Sequence, residues 1–492
     1  MGVSIEGLTR ILRERFHLTR FRAGQLQALQ HILEGRHTLL VMPTGSGKSL
    51  CYQLPALLNE GQVLVISPLI ALMQDQVRAL QRRGIPAAAL HSLESPEEQQ
   101  TILRRMAANL YRLVYVAPER LQSQAFLEAL PRNVSLLAVD EAHCISQWGH
   151  DFRPAYLSIH KAWQTLGQPT VLATTATATP LVQDDVIRQL HLPAVQRVVT
   201  GFNRPNLYFE VAWVEDEEAK LACLRAALPA EPDGSYIVYV GTRRAAEEVA
   251  DLIQTTTGLE AAYYHGGMEP EARRRVQMRF QQNRVRVLAA TNAFGLGVDK
   301  ADVRAVIHWD IPGSPEAYYQ EAGRAGRDGK PARCLLLYSS EDRALQEWFI
   351  DNDAPSAEAL ERLHEALSLA RPEKDGYCSI DEGALRRRLG LNEVKLRVGI
   401  SLLQGAGVLE EQGRDGGRLL YTMASRAPLN AGPIMAQVEA FRHYKRRLLA
   451  QMIAYAEGTR CRRRTLLEYF GDPDTSVVDP CCDNCRKARG AA

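Results

Sequence analysis

The sequence predicts an α/β protein with two tandem parallel sheets, followed by a winged-helix domain and a C-terminal helical module. Three observations support this prediction. Over the first two-thirds of the chain, short β-branched runs alternate with longer helical patterns. That alternation restarts once, after the segment 201–210, and from about residue 350 the strands give way to helices. Strands that alternate with helices are typical of parallel α/β sheets, so each period predicts one sheet.

Length and composition limit the classes of protein that fit. The chain has 492 residues, of which 46% are hydrophobic. That length predicts three or four domains, and that hydrophobic content is sufficient for packed cores. The formal net charge is +2. Any basic binding surface must therefore be local, because the overall charge does not indicate a nucleic-acid partner.

The sequence predicts a cytoplasmic protein that does not associate with a membrane. No apolar run reaches the length of a membrane span, and Arg10, Arg13, Glu14 and Arg15 interrupt the N-terminal segment. Disulfides are not expected in a reducing cytosol. Of nine cysteines, four crowd the C-terminus and need another explanation.

Five apolar runs predict the strands of the first sheet. They lie at residues 37–42, 63–68, 113–118, 136–141 and 170–175. None shows in–out alternation, so the strands should be covered on both faces.

Five further runs predict the strands of a second, similar sheet. They lie at residues 236–241, 261–266, 285–291, 305–310 and 333–339. The segment 201–212 between the two sets is expected to be a linker.

The region after residue 350 has the pattern helix, turn, helix, hairpin, which is the outline of a winged helix. Leu385 and Leu389 lie on one face of the first helix. One face of the next helix carries Leu391, Val394, Val398 and Leu402. "GRDGG" (413–417) predicts the turn of the hairpin. The alternative is a small helical packing domain that does not bind nucleic acid.

A phosphate-binding loop is predicted by "PTGSGKS" (43–49), which follows a strand and opens a helix. Backbone N–H groups of such a loop cradle phosphates, Lys48 reaches the β/γ-phosphates and Ser49 holds magnesium. Met42 stands where the strict pattern has glycine. The alternative is an ordinary glycine-rich turn between strand and helix.

The segment "DEAHCISQWGHDFRP" (140–154) joins two kinds of chemistry. Asp140 and Glu141 end a predicted strand, where the first can hold magnesium and the second can activate water. The alternative for this pair is a solvated strand end. Side chains suited to stacking on a flat, anionic partner follow at once: Trp148, His150, Phe152 and Arg153.

The second α/β region contains no phosphate loop but ends in "YYQEAGRAGRDG" (318–329). Gln320, Arg324 and Arg327 are spaced as on one helical face and turn. Arginines supplied across a cleft between domains can stabilise charge on a transferring phosphoryl group. The alternative is a basic helix paired with Glu316 and Glu321.

These motifs, in this order, resemble the RecQ DNA helicases of superfamily 2. The resemblance covers residues 8–345 and the C-terminal cysteines, and it is carried by "MPTGSGKSLCYQLPA", "DEAHCISQWGHDFRP", "LATTATAT", "TNAFGLGVDK" and "YYQEAGRAGRDG". It implies two RecA-like domains and ATP-driven 3′-to-5′ translocation on single-stranded DNA. It further implies duplex unwinding in repair or recombination.

The resemblance also implies roles for individual residues. Adenine recognition falls to Phe21, Arg22 and Gln25, and Arg22 supplies most of the stacking because Leu18 replaces an aromatic residue. Contacts with the nucleotide are implied for Thr44, Gly45, Ser46, Gly47, Lys48, Ser49 and Asp299. Thr291 and Asn292 match a segment that couples DNA to nucleotide. Trp148, Phe152 and Arg153 resemble an aromatic-rich loop that stacks on unpaired bases.

Cys461, Cys481, Cys482 and Cys485 predict a structural zinc site, because four thiolates suit tetrahedral zinc. "CRRRTLLEYFG" and "CDNC" resemble the RecQ zinc module, although two of these cysteines are adjacent in sequence. The alternative is four free thiols. A local basic concentration that could follow phosphates is formed by Arg442, Lys445, Arg446, Arg447, Arg462, Arg463 and Arg464. The alternative for it is a solvated helix face.

The predicted domains are residues 1–205 and 206–345 for the two sheets, 354–425 for the winged helix and 430–492 for the zinc module. In the family the winged helix usually follows the zinc module, so a strand-separating wing is not inferred. The expected ligands are ATP, magnesium, zinc and DNA, and a single-strand-binding protein is a candidate partner of a monomeric enzyme. An RNA helicase and a non-enzymatic DNA-binding regulator are the alternatives.

Overall fold

The computed structural model describes residues 5–58, 61–91, 94–122, 124–131, 133–146, 148–149, 152–228, 234–295, 300–372, 376–415, 417–472, 474–476 and 481–490. Two parallel sheets, a small antiparallel sheet and a helical C-terminal segment follow one another along the chain. The fold class predicted from the sequence is confirmed.

The first sheet has seven parallel strands in the order β3-β4-β2-β5-β6-β1-β7. Its strands are β1 (His37–Val41), β2 (Gln62–Ile66), β3 (Ala87–Leu90), β4 (Leu113–Val116), β5 (Val134–Val139), β6 (Thr170–Thr175) and β7 (Val195–Val199). Its helices are α1 (Ile5–Phe16), α2 (Gln25–Leu33), α3 (Leu50–Gln53), α4 (Pro55–Leu58), α5 (Ile70–Arg82), α6 (Pro96–Ala107), α7 (Gln124–Ala129), α8 (Ile159–Thr165) and α9 (Pro180–Leu190).

The apolar strands of this sheet are buried on both faces. Leu39 and Val41 of β1 contribute to one hydrophobic cluster, whereas Leu40 contributes to a separate cluster on the opposite face. Successive side chains of a strand point to opposite faces, so a continuous apolar run supplies both layers.

The second sheet has six parallel strands in the order β10-β11-β9-β12-β13-β8. Its strands are β8 (Leu207–Trp213), β9 (Ser235–Tyr239), β10 (Ala261–Tyr264), β11 (Val287–Ala290), β12 (Val303–His308) and β13 (Ala332–Tyr338). Its helices are α10 (Glu217–Ala227), α11 (Arg243–Thr257), α12 (Pro270–Gln281) and α13 (Pro315–Ala322). The expectation of a linker over 201–212 was wrong for its second half, because residues 207–213 form the edge strand β8.

A helix-strand-helix-helix-hairpin arrangement follows helix α14 (Asp342–Asn352), and it is the topology of a winged helix. Its elements are α15 (Ala357–Ser368), β14 (Cys378–Asp381), α16 (Glu382–Leu389), α17 (Glu393–Gly405), β15 (Leu409–Asp415) and β16 (Arg418–Met423). The three strands form an antiparallel sheet in the order β14-β16-β15.

The face of α17 that faces the core differs from the one singled out in the sequence. The side chains of Leu396, Ile400 and Leu403 are buried, whereas Val394 is 53% exposed. Tyr421, on β16 of the wing hairpin, is also buried, and its hydroxyl donates to the carbonyl of Leu367 at 2.7 Å. Tyr421 is therefore a core residue and is not displayed on the wing.

Three helices complete the chain: α18 (Gly432–Glu457), α19 (Arg462–Tyr469) and α20 (Asp483–Gly490). Helix α18 packs against α13 and α14, and α19 and α20 pack against β8. An isolated parallel bridge joins Phe209 of β8 to Cys482. The C-terminal module thus covers the exposed edge of the second sheet. No helix within the described ranges is long and apolar enough to cross a membrane.

Candidate nucleotide site, DNA-contact loop and zinc centre

The predicted phosphate loop lies between β1 and α3. Gly45 and Gly47 have φ values of 78° and 86°, in the left-handed region that favours glycine. The side-chain amide of Gln25 donates to the carbonyls of Ser46 and Gly47 at 3.2 and 2.9 Å. The guanidinium of Arg22 donates to the carbonyl of Gly45. Two of the three residues assigned to adenine recognition therefore contact this loop, and Phe21 packs beside the core below it.

Met42, which departs from the strict loop pattern, directly follows β1 and is hydrogen-bonded to the neighbouring strand β6. Its N–H donates to the carbonyl of Thr175 at 3.1 Å, and its side chain is buried in the core. The Nζ atom of Lys48 donates to the carbonyl of Met42 at 3.2 Å. A side chain at position 42 thus does not obstruct the loop.

Lys48, which is half-buried, and the buried Asp140 carry opposite charges that interact. Burial lowers the pKa of Lys48, while Glu141 and Asp140 oppose that shift. Burial also raises the pKa of Asp140, and Lys48 opposes that shift. Thr174 donates to Oδ1 of Asp140 at 2.9 Å, which orients the carboxylate. Carboxylate and hydroxyl oxygens are ligands that magnesium prefers, so the side-chain chemistry of Asp140 and Ser49 suits the predicted ion.

Glu141 is connected to the end of β6 through a buried histidine. It adopts φ 46°, and its Oε2 lies 3.4 Å from Nδ1 of His143. The same ring nitrogen lies 2.9 Å from the hydroxyl of Thr175. Because Thr174 contacts Asp140 and Thr175 contacts His143, the end of β6 holds both carboxylate-bearing residues.

The stacking segment begins eight residues after Asp140 and contacts the C-terminal helices. The rings of Trp148 and Tyr444 form an edge-to-face pair with centroids 5.0 Å apart. The hydroxyl of Tyr444, on α18, donates to the carbonyl of Trp148 at 2.6 Å. Arg153 donates to the carbonyl of Pro68 at 3.1 Å, and Phe152 is half-buried. The predicted residue His150 lies outside the described residues.

Arg327, which follows α13 of the second α/β region, lies against the phosphate loop of the first. A Cβ atom built on Gly45 would lie 3.4 Å from Cγ of Arg327, and the charge of Arg327 contributes to the lowered pKa of Lys48. Arg324 is buried beside Tyr239, and Gln320 is half-buried on α13. The structure therefore brings Arg327 to the loop, across the boundary between the sheets.

The alternative pairing of these arginines with Glu316 and Glu321 is wrong. Glu321 instead contacts Nε2 of His308 at 3.0 Å. Glu316 accepts a hydrogen bond of 2.5 Å from the hydroxyl of Tyr469 on α19.

Thr291 and Asn292 follow β11 directly. The N–H of Thr291 donates to the carbonyl of Tyr264 at 3.1 Å, and its own carbonyl accepts from Phe294 at 2.9 Å. Asn292 is exposed. Asp299, assigned to nucleotide contact, lies outside the described residues.

Sequence reasoning missed Arg204, in the short segment between the two sheets. Its guanidinium donates to the carbonyl of Thr44 in the phosphate loop and to the carbonyls of Gly323, Ala325 and Gly326 after α13. Its partners lie far away along the chain, so only the fold shows these contacts. The one local signal is an arginine next to proline in a segment that should otherwise be a simple connection.

The four C-terminal cysteines converge on one point. The Sγ atoms of Cys461, Cys481, Cys482 and Cys485 all lie within 4.8 Å of one another. The Sγ of Cys481 lies 3.3 Å from that of Cys461 and 4.0 Å from that of Cys485. Tetrahedral zinc with bonds of about 2.3 Å separates its sulfurs by roughly 3.8 Å. The cluster thus fits zinc, and the adjacent residues Cys481 and Cys482 both face the same centre.

Backbone groups around the cluster favour thiolates. The N–H groups of Arg462 and Cys485 approach Sγ of Cys482 at 3.4 and 3.5 Å. Although burial opposes it, hydrogen bonds from the Arg464 backbone and the other thiols lower the pKa of Cys461. Burial and the neighbouring cysteines raise the pKa of Cys481 to about 12. A bound cation would remove that penalty, since metal binding releases thiol protons.

Most of the basic residues predicted to follow phosphates instead bind carboxylates or backbone carbonyls of the protein itself. The side chain of Arg462 is buried and pairs with Asp483 at 3.2 Å. Arg463 is also buried and donates to the carbonyls of Pro205 and Leu207. On α18, three further charges pair with acidic neighbours: Arg442 and Lys445 with Asp353, and Arg446 with Asp351 and Glu439. Arg447 instead lies over the ring of Tyr444, 5.3 Å from its centroid. A phosphate-following surface over these residues was therefore a wrong expectation for Arg462 and Arg463.

A phosphate loop on one parallel sheet, contacted by an arginine from a second, defines a two-sheet nucleotide-dependent motor of the helicase type. Comparison with known proteins agrees. Residues 22–185 match the DEAD/DEAH box helicase family, 219–329 the helicase conserved C-terminal domain and 419–486 the RecQ zinc-binding family.

The chain belongs to the RecQ family of ATP-dependent DNA helicases. It is 37% identical over 483 residues to the probable ATP-dependent DNA helicase RecS of Bacillus subtilis (strain 168), covering 97% of this chain and 92% of that protein. It is 42% identical over 375 residues to the ATP-dependent DNA helicase RecQ of the same organism, covering 76% of this chain but 62% of that protein.

A solved structure supports the fold. The crystal structure of the DUF1998 helicase MrfA bound to DNA has a TM-score of 0.57 and 21% identity, covering 86% of this chain and 60% of that chain. At this identity, the likeness concerns the fold alone.

Proposed function

We propose that this protein hydrolyses ATP to move 3′ to 5′ along single-stranded DNA and unwinds duplex DNA during repair or recombination. The observation that supports it best is the placement of Arg327 against Gly45, because an arginine of one sheet reaches the phosphate loop of the other. A nucleotide in that loop would be contacted from both sheets. Its binding and hydrolysis would therefore change how closely the sheets approach.

The residues of this cleft have different roles in the proposed hydrolysis of ATP. Lys48 and the loop Thr44–Ser49 hold phosphates, and Glu141 orients and deprotonates the attacking water. Magnesium, held by Asp140 and Ser49, would neutralise phosphate charge. Charge on the transferring group is stabilised from the second sheet by Gln320, Arg324 and Arg327. The base of the nucleotide is recognised by Phe21, Arg22 and Gln25, and Asp299 adds a contact.

DNA contact is assigned to two segments. The aromatic-rich loop with Trp148, His150, Phe152 and Arg153 would stack on unpaired bases. Thr291 and Asn292 would contact DNA beside the nucleotide. Because the loop follows Asp140 and Glu141 directly in sequence, contact with DNA can alter the geometry of the hydrolytic carboxylates.

The proposal also covers the ligands, the cellular location and the domains of the protein. We propose a cytoplasmic monomer that uses ATP, magnesium and a zinc ion, with a single-strand-binding protein as a candidate partner. The proposed domains are residues 1–205, 206–345, 354–425 and 430–492. A wedge function for the winged helix is not included, since Tyr421 is buried.

Strand displacement on 3′-tailed, 5′-tailed and forked duplexes tests the proposal. We expect ATP-dependent unwinding of the 3′-tailed and forked substrates and little of the 5′-tailed one. Equal unwinding from a 5′ tail would refute the polarity. ATP turnover that RNA stimulates and DNA does not would instead favour an RNA helicase, and background turnover with both would favour a DNA-binding regulator.

A further inference from the structure

Arg204 lies in the short connection between the two sheets and contacts both. Its Nη1 donates to the carbonyl of Thr44 at 3.5 Å and to that of Gly323 at 3.2 Å. Its Nη2 donates to the carbonyls of Ala325 and Gly326 at 2.9 and 3.0 Å. One side chain therefore joins the phosphate loop to the turn from which Arg324 and Arg327 extend.

The acceptors in that turn explain why the residue is an arginine. Helix α13 ends at Ala322, so the carbonyls that follow have no helical donor of their own. Of these, the carbonyl of the C-cap residue Gly323 lies at the negative end of the helix dipole, which favours a cation. A planar guanidinium with several fixed donors can reach carbonyls on both sides at once, whereas a lysine ammonium is a single point of charge.

A second residue of the same connection holds the other side of the turn. The amide of Asn206 donates to the carbonyls of Gly326 and Lys330 at 2.8 and 2.9 Å. Gly326 has φ 55°, and a Cβ there would lie 2.4 Å from Nδ2 of Asn206. The connection and the turn thus fit closely, and the direction in which Arg327 leaves the turn depends on that fit.

The zinc module holds the connection on both sides of Arg204. On one side, the carboxylate of Asp472 accepts from the N–H of Phe202, whose ring stacks on Phe470 with centroids 4.6 Å apart. On the other side, the buried guanidinium of Arg463 donates to the carbonyls of Pro205 and Leu207. Residues 202–207 are therefore attached to α19 and the turn after it.

We infer that Arg204 is a positioning residue for ATP hydrolysis: it sets the place of Arg327 over the phosphate loop, and the zinc module in turn sets the place of Arg204. This inference rests on the proposed ATP hydrolysis, in which Arg327 stabilises phosphoryl charge. Arg204 itself acts through backbone carbonyls and is not assigned to contact the nucleotide.

Steady-state ATP turnover with saturating single-stranded DNA tests the link between Arg204 and Arg327. Arg204→Ala should lower kcat about 10- to 100-fold, since small misplacement of a catalytic group has effects of this size. The KM for ATP should change little, because the loop and Lys48 remain. Arg204→Lys should be nearly as impaired. Arg197→Ala, a control at an exposed arginine of β7 paired with Asp184, should match the unmodified protein.

The double variant decides whether Arg204 acts through Arg327. If it does, Arg204→Ala combined with Arg327→Ala should be no slower than Arg327→Ala alone. Multiplying effects would overturn the inference, as would a normal kcat in Arg204→Ala or full activity in Arg204→Lys.

Hydrogen–deuterium exchange of the nucleotide-free protein gives a readout that needs no activity. Arg204→Ala should speed amide exchange in peptides covering the phosphate loop and the turn at 323–326, whereas Arg197→Ala should not. Unchanged exchange in both peptides would overturn the inference even if turnover fell. Absence of DNA-stimulated turnover in the unmodified protein would refute the proposed function, while exchange would still decide the structural role of Arg204.

The same measurement tests the part played by the zinc module. Asp472→Ala should speed amide exchange in residues 201–206 and also in the turn at 323–326. Among the described residues, the carboxylate of Asp472 bonds to Phe202 and Asp474, so an effect on the turn would pass through the connection. Faster exchange in the connection alone would show that Arg204 keeps its place without the module, and would overturn that half of the inference.

Discussion

At the scale of single residues, the chemistry of the cleft depends on opposite charges that interact within it. Burial lowers the pKa of Lys48 and raises that of Asp140, and each opposes the shift of the other. The sequence was sufficient to predict this pair, because a phosphate loop and a strand-end carboxylate have recognisable patterns. It could not predict Arg204, whose four acceptors become neighbours only after both sheets have formed.

Lys48→Ala should abolish ATP turnover and leave the fold intact. The change removes the positive charge that reaches the phosphates, whereas the buried methylene groups of the side chain contribute little to the core. Turnover with single-stranded DNA and the thermal melting temperature are the measurements. Measurable turnover near the unmodified rate would remove Lys48 from the phosphate site.

Glu141→Gln should bind ATP with nearly unchanged affinity and hydrolyse it poorly. The amide keeps the size of the side chain and its neighbour His143, but it cannot accept a proton from water. Equilibrium binding of a fluorescent ATP analogue and single-turnover hydrolysis separate the two effects. Normal hydrolysis by this variant would contradict the assigned role.

At the scale of elements, the sequence predicted the strands of the two parallel sheets except β3, β7 and β8. Thr170–Thr175 was predicted with the bounds that β6 has. Ala87–Leu90 was missed because three alanines carry no β-branched signal. Val195–Val199 was missed because it is a half-exposed edge strand, without the continuous burial on which the prediction relied.

The contacts of the aromatic-rich loop could not be predicted from the sequence, because its partner lies far away along the chain. Tyr444 of α18 holds Trp148 by a hydrogen bond and an edge-to-face contact, although 296 residues separate the two. Trp148 is therefore neither a free stacking platform nor a fully buried core residue. Phe152 and Arg153 follow it in sequence and are half-buried.

Phe152→Ala and Arg153→Ala should keep ATP affinity and basal hydrolysis while losing most of the acceleration by single-stranded DNA. The carboxylates and the phosphate loop remain in place, and one lost base-stacking contact weakens binding by roughly 1–3 kcal/mol. ATP turnover at saturating DNA is the decisive measurement. A rate that returns to the unmodified value would make the loop a binding surface only, and an unfolded variant would indicate a packing role.

At the scale of the whole molecule, the zinc module connects parts that are distant in sequence. It covers the edge of β8 through Cys482, holds residues 202–207 through Arg463 and Asp472, and reaches α13 through Tyr469. The sequence predicted the cysteine cluster from its four thiols and from its resemblance to the RecQ zinc module. It did not predict this docking, since the buried arginines of "CRRRT" look like a basic surface until their partners are known.

We expect each chain to bind a single zinc ion whose loss loosens this arrangement. Cys482→Ser should lose the metal and melt at a lower temperature, because its thiolate is the one that two backbone N–H groups approach and its backbone bridges β8. A structural site of this kind contributes its binding energy directly to folding. Cys223→Ser, on α10 and outside the cluster, is the matched control and should keep its zinc.

Metal analysis of freshly purified protein, before and after chelation, measures the outcome together with thermal melting. The adjacent cysteines give the sharpest comparison, because the Sγ atoms of Cys481 and Cys482 both belong to the cluster. Each serine variant should therefore lose zinc to a similar extent. Retention of zinc by Cys481→Ser alone would mean that another group completes the site. If the unmodified protein contained no zinc, the prediction would be wrong, and the contacts of Arg462, Arg463 and Asp472 would dock the module without a metal. Chelation would then not change the melting temperature.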